Sequence, residues 1–143
     1  MSAMQAALGR SQLRRIEALA ARKREIGCMY QELLGDIEEF TLPSDMNRLG
    51  LNSYWVFGVL VNPNFMDGNQ MRAKLDQFKV GTRPFFCPMH LQPVLQPYLQ
   101  QDKSNFPVAS MLWEQGFYLP SGVGMTDSQI LEVSKRVHEV VKS

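Results

Sequence analysis

The sequence predicts an α+β layered domain, and three observations predict it. Residues 2–34 carry apolar side chains at helical spacing with no proline among them. Residues 53–61, Ser-Tyr-Trp-Val-Phe-Gly-Val-Leu-Val, are a near-continuous apolar run of strand length. Beyond them, short strand-like runs alternate with short helical ones, each closed by proline or glycine. The chain has 143 residues, 45% hydrophobic and 20% charged, which suits one domain with its own core.

The first helix opens on a capping box, Ser2 with Gln5, and meets a natural stop at Gly35. Its apolar stripe runs from Met4 and Leu8 through Ile16 to Ile26 and Leu33. As one rod it would extend roughly 50 Å, against roughly 30 Å for a small domain. Part of the stripe is therefore predicted to pack on a second copy, or on polypeptide outside these residues. The cations Arg10, Arg14, Arg15, Arg22, Lys23 and Arg24 are interleaved with Glu17 and Glu25. They read as a solvated face, not as a nucleic-acid surface.

Residues 40–42 predict a short strand ended by Pro43, and residues 45–52 a surface loop. In the strand over 53–61, Tyr54, Val56 and Leu60 face one way; Trp55, Phe57, Val59 and Val61 face the other. Both faces are apolar, so the pattern predicts a central strand with Tyr54 and Trp55 in the core. A turn over 62–68 leads to a helix over 69–78 and a short strand over 80–83. After His90, Pro93 and Pro97 forbid a long helix, and residues 102–105 read as a polar loop. Pro107 opens a helix to Gln115, with Gly116 as its stop, and residues 117–119 form a strand. Thr126 with Gln129 is a second capping box. The last helix reaches about Lys142, burying Ile130, Val133, Val137 and Val140, with His138 on its polar flank.

Residues 82–90, Thr-Arg-Pro-Phe-Phe-Cys-Pro-Met-His, concentrate the chemistry. Pro84 and Pro88 make the stretch a semi-rigid, non-helical ribbon. It can present Arg83 and His90 at one rim while Phe85 and Phe86 anchor it. Arginine suits bidentate capture of phosphate or carboxylate, and histidine exchanges a proton near neutral pH. The alternative is an ordinary packed loop with a hydrogen-bonded histidine.

Other chemistry is sparse. The net charge of +1 favours neither nucleic acid nor an anionic membrane. No apolar run approaches the roughly 20 residues of a membrane span, and no signal-peptide core is expected after Met1. The two cysteines, Cys28 and Cys87, lack metal-ligand spacing and read as free thiols in a reducing cytoplasm. No His/Cys cluster points to a metal, and no glycine-rich phosphate loop is present. A Cys87/His90 nucleophile pair has no third group to orient it. The lysines sit on charged flanks or in loops, whereas a Schiff-base lysine needs a lowered pKa.

Several stretches together resemble one family. They are residues 1–9 (Met-Ser-Ala-Met-Gln-Ala-Ala-Leu-Gly) through Arg22-Lys-Arg-Glu25, then Asn52-Ser-Tyr-Trp-Val-Phe57. Next come Gly81-Thr-Arg-Pro-Phe-Phe86 through Pro88-Met-His90, Phe106-Pro-Val-Ala109, and Leu119-Pro-Ser-Gly122 with Thr126-Asp127. They resemble the C-terminal part of the DegT/StrS-type nucleotide-sugar aminotransferases, pyridoxal-phosphate enzymes of fold-type I. The likeness is greatest to the branch that makes GDP-perosamine, and it covers essentially the whole chain.

The resemblance implies a small C-terminal domain with a mainly antiparallel sheet covered by helices. Residues 1–35 would be a long helix continuing from a large domain, and 36–143 the small domain. The lysine that holds the cofactor would lie in that large domain, so no catalytic residue is expected in this chain. Pyridoxal phosphate would serve the full-length protein and is not expected on this chain alone. Arg83, His90 and Phe85 would contact the sugar nucleotide, and Gln5 would approach the cofactor region. The expected reaction is transfer of an amino group from glutamate to a 4-keto-6-deoxy sugar nucleotide. Two alternatives stand beside it: a non-catalytic module that forms a homo-oligomer through the N-terminal helix, and a simple sugar-nucleotide binder. Neither nucleic acid nor membrane is an expected partner.

Overall fold

The structure is a computed structural model, and it describes residues 1–47, 50–98 and 106–143. The expected first helix is two helices, α1 (Ala3–Leu13) and α2 (Ile16–Leu34). The Ser2/Gln5 box is present: the Ser2 amide donates to Gln5 Oε1 at 2.8 Å and the Gln5 amide to Ser2 Oγ at 3.3 Å. The single rod breaks at Arg14–Arg15, where the Arg15 amide turns back to the Gln12 carbonyl. No residue of α1 is buried. In α2, by contrast, Ile26, Gly27, Tyr30 and Leu34 face the core.

A four-stranded antiparallel sheet follows, built from β1 (Phe40–Thr41), β4 (Phe57–Val61), β5 (Arg83–Pro84) and β6 (Gly116–Leu119). Its order is β1-β4-β6-β5. Phe57 pairs with Leu119 and Val59 with Phe117. Strand alternation therefore puts Phe57, Val59, Val61, Phe117 and Leu119 on one face. That face packs with Ile26, Tyr30 and Leu34 of α2, Met71 and Leu75 of α3 (Gly68–Gln77), and Ile130, Val137 and Val140 of α5 (Asp127–Val141). Tyr30 and Phe57 meet at 4.9 Å between ring centroids.

Local chemistry explains the helix starts. Asp67 and Gln70 cap α3, and Thr126 and Gln129 cap α5, each with both hydrogen bonds of the box made. Pro107 stands first in α4 (Pro107–Gln115), where its missing N–H is no loss. The last helix buries its four expected residues. His138 does not stand free on a flank: it is half-buried, and its Nε2 donates to the Leu33 carbonyl at 2.9 Å, satisfying an end group of α2.

Four expectations need correction. The strand over 53–61 begins only at Phe57, because Tyr54 takes a left-handed φ of 48° that ends extended pairing. Trp55 is consequently 73% exposed, not core, whereas Tyr54 is buried. The loop over 45–52 contains a small hairpin, β2 (Met46–Asn47) with β3 (Gly50–Leu51). The strand over 80–83 is instead β5, at the sheet edge, where Pro84 withholds no ladder donor from a central position. The polar loop expected over 102–105 lies outside the described residues. The ribbon is not wholly non-helical: it ends in a 3₁₀ turn, Met89–Leu91, and a second, Pro93–Tyr98, follows.

Candidate functional site

The second face of the sheet carries small side chains and is covered in part by the ribbon. Gly58 pairs with Tyr118 and Leu60 with Gly116, so this face offers two glycines beside one aromatic ring. Phe85 fills the space the glycines leave. It stacks on Tyr118 at 4.5 Å and 18°, and a Cβ built at Gly58 would lie 2.9 Å from its Cζ. The Phe85 amide donates to the Gly116 carbonyl, which extends the edge pairing by one residue.

Beside Phe85 lies a half-open cleft of about 500 Å³, lined by Trp55, Val56, Arg83, Phe86, Cys87 and Tyr118 among others. Arg83 is exposed and has no ion-pair partner among the described residues. Phe86 is 76% exposed and meets Tyr118 edge-on at 6.3 Å. Burial raises the Tyr118 pKa above the usual tyrosine range. The arrangement is one free guanidinium among three partly exposed aromatic faces. Such a surface suits a planar ring carrying phosphate.

His90 is not at that rim. It is 6% exposed, shares a 3.1 Å hydrogen bond between its Nε2 and Ser110 Oγ, and stacks on Phe106 at 5.0 Å. Its carbonyl accepts from Gln96 Nε2 at 2.6 Å. The ribbon thus inverts part of the expectation: His90 is an anchor against α4, while Phe86 points outward. The reason is Met89–Leu91, a tight turn that swings residue 90 beneath the ribbon. Arg83 and Phe85 remain together; Gln5 is far along the chain on α1, its side chain engaged by the capping box. Sequence reading missed Trp55 and Tyr118 as cleft walls. Gly58, three residues after Trp55, and Gly116, two before Tyr118, were the available signal.

A second polar cluster holds the segment between β6 and α5. Tyr30, wholly buried, donates its hydroxyl to the Pro120 carbonyl at 2.7 Å, and burial pushes its pKa well above the usual tyrosine value. Lys23 Nζ donates to the carbonyl and, at 3.2 Å, the hydroxyl of Ser121. Arg22 reaches the Met125 carbonyl at 2.7 Å and Asp127 at 2.8 Å. These cations, expected on a solvated face, instead tie α2 to this loop.

Pyridoxal phosphate needs an amine for its aldehyde, an acid beside its pyridine nitrogen and donors around its phosphate. Lys23 has a pKa lowered by burial, but its ammonium is committed to Ser121. Lys79 shares a groove with Glu132 and Arg136, yet it is exposed, and Glu132 already pairs with Arg136 at 2.7 Å. The described residues therefore do not fit a self-contained site for this cofactor. They also contain no group of three or more His, Cys, Asp or Glu able to hold a metal ion. No described helix is long and apolar enough to cross a membrane.

The fold is that of solved aminotransferases. S. venezuelae DesV, solved in complex with a ketimine intermediate, superposes with a TM-score of 0.88 at 23% identity, over 98% of this chain and 36% of that one. The chain belongs to the DegT/DnrJ/EryC1/StrS aminotransferase family, whose model matches residues 1–138. It is a family of pyridoxal-phosphate-dependent enzymes. Among curated relatives, a GDP-perosamine synthase of Caulobacter vibrioides is 29% identical over 143 residues, 99% of this chain and 38% of its own length. An uncharacterized protein of Methanocaldococcus jannaschii is 27% identical over 143 residues, 99% of this chain and 37% of its own. The chain thus spans little more than a third of the relatives it matches.

Proposed function

We propose that this chain is the carboxy-terminal domain of a sugar aminotransferase that uses pyridoxal phosphate and glutamate to aminate a 4-keto-6-deoxy sugar nucleotide. Its contribution is to help bind the sugar nucleotide: Arg83 meets the phosphates, and Trp55, Phe86 and Tyr118 offer aromatic faces to the rings. The cofactor-bearing lysine belongs to polypeptide outside these residues, so the chain alone is inactive. The observation carrying this reading is the aromatic, arginine-bearing cleft on a chain whose family match spans residues 1–138. A GDP-linked substrate is supported by the likeness to the Caulobacter GDP-perosamine synthase. A cytoplasmic setting suits the two free thiols, Cys28 and Cys87.

The test is direct. The purified chain is mixed with pyridoxal phosphate, glutamate and GDP-4-keto-6-deoxymannose, beside an intact family member. The chain is expected to show neither the visible absorbance of lysine-bound cofactor nor product. Either signal would overturn the inactive assignment.

One observation favours a second role. Met4, Leu8 and Leu13 of α1 are exposed, and no residue of that helix is buried. A homo-oligomer that pairs α1 with α1 would cover them. Sedimentation should then show a concentration-dependent dimer that Leu8→Glu dissolves. A monomer at every concentration would remove this role.

A further inference from the structure

Tyr54 occupies a backbone conformation that a tyrosine rarely adopts, and its surroundings are built to keep it there. Its φ is 48°. Its amide donates to Asn52 Oδ1 at 2.8 Å, closing a tight turn, and its hydroxyl donates to Asp45 Oδ1 at 3.1 Å. Its ring stacks on Phe57 at 5.9 Å and 19°. The ring also rests on Gly27 of α2, where an added Cβ would lie only 2.3 Å from its Cγ and Cδ2. Only glycine at that helix position leaves room for it.

The consequence reaches the next residue. Uninterrupted strand alternation would set Trp55 on the face of Phe57 and Val59, against the helices. The left-handed turn breaks that alternation. Tyr54 goes in, Trp55 goes out, and Trp55 becomes a wall of the cleft with Arg83 and Phe86.

We propose that Tyr54 is the positioning residue of this cleft: seated against Gly27, it turns Trp55 out of the sheet and holds it where the base of a sugar nucleotide stacks. The nucleotide part rests on the function proposed above; the placement of Trp55 does not. Tyr54 itself touches no ligand and acts through the backbone it fixes.

Two substitutions separate ring from backbone. Tyr54→Gly removes the ring and keeps an easy left-handed φ. Tyr54→Val removes the ring and resists that φ, because branching at Cβ crowds the left-handed region. Both are made with Trp113→Phe, so that Trp55 is the sole tryptophan of the two. The readouts are iodide quenching and emission wavelength of Trp55, with circular dichroism to report folding. The parent should quench freely with red-shifted emission, whereas the glycine variant, lacking the ring seated on Gly27, should quench less even though its φ is unstrained. The valine variant should lose most of its quenching and shift blue, as Trp55 swings into the space beside Gly27.

A folded valine variant that quenches like its parent overturns the proposal. If valine unfolds the chain, Asn52→Ala decides, since it removes the acceptor that closes the turn and keeps both rings: reduced quenching supports the proposal and parent-like quenching overturns it. GDP is added last. It should quench Trp55 in the parent and not in the valine variant. No GDP effect in the parent, alongside the expected iodide series, would sink the nucleotide reading and leave the positioning role intact.

Discussion

Gly116→Ala tests the packing that builds the cleft. Gly116 has φ −92° and ψ 138°, ordinary extended angles, so alanine meets no backbone penalty there. In an unstrained position the change would even stabilise by roughly 0.4–1 kcal/mol through the unfolded chain. The structure predicts the opposite sign. An added Cβ would lie 2.5 Å from Phe85 Cγ and closer still to the Leu112 carbonyl oxygen. Neither neighbour yields easily: Leu112 contributes backbone in α4, and Phe85 is held between Gly58 and Tyr118. Overpacking of this kind costs roughly 1–3 kcal/mol. With 143 residues at about 2.1 cal/mol/K each, the unfolding entropy is about 0.3 kcal/mol/K, so Tm should fall by about 3–10 °C. Gly81→Ala is the control, because a Cβ there meets nothing within 4 Å. Melts followed by far-ultraviolet circular dichroism compare the two. An unchanged Tm in Gly116→Ala, or an equal fall in the control, would refute the account of the Phe85 seat.

Three further outcomes follow from the same geometry. Tyr30→Phe leaves the Pro120 carbonyl without its donor and should cost about 1 kcal/mol in urea denaturation at neutral pH. Burial raises the folded pKa of Tyr30, so its neutral form favours folding; that stability is present below the unfolded value of about 10 and drains away as pH climbs toward the folded one. The alkaline loss should therefore be shallower in Tyr30→Phe, and an unchanged pH profile would count against the buried hydroxyl. Thr126→Ala removes the side-chain half of the α5 capping box and should lower stability by about 1 kcal/mol, checked by chemical denaturation. Arg83→Ala, at an exposed edge position, should change stability by less than about 0.5 kcal/mol while abolishing the heat of GDP binding in calorimetry; equal heats in both proteins would exclude Arg83 as the phosphate contact.

Much of the framework was legible in residue order. The capping boxes at Ser2 and Thr126 are local devices whose partners stand three residues away, so sequence suffices to find them. The buried stripe of α5 follows from a 3.6-residue period, and the core face of β4 from a period of two. The candidate site was legible only in part. Arg83 could be chosen from its chemistry and the neighbouring prolines, and Phe85 only from the family resemblance. The inward turn of His90 depends on Ser110 and Phe106, which lie 20 and 16 residues away in the chain. The true neighbours of Arg83, Trp55 and Tyr118, arrive from two other segments.

What the sequence by itself determined is the set of local rules: where helices start, which side chains repeat at core spacing, and which ribbon its prolines stiffen. Its motif order also carried the family likeness. Tertiary structure alone decided the break in the first helix and the fate of Tyr54 and Trp55. The second turns on a contact between distant residues. α1 buries none of its residues, and the rod breaks at Arg14–Arg15 before α2 begins. Tyr54 finds a notch at Gly27, and that contact overrides the strand preference of the run around it, sending one aromatic into the core and its neighbour into solvent.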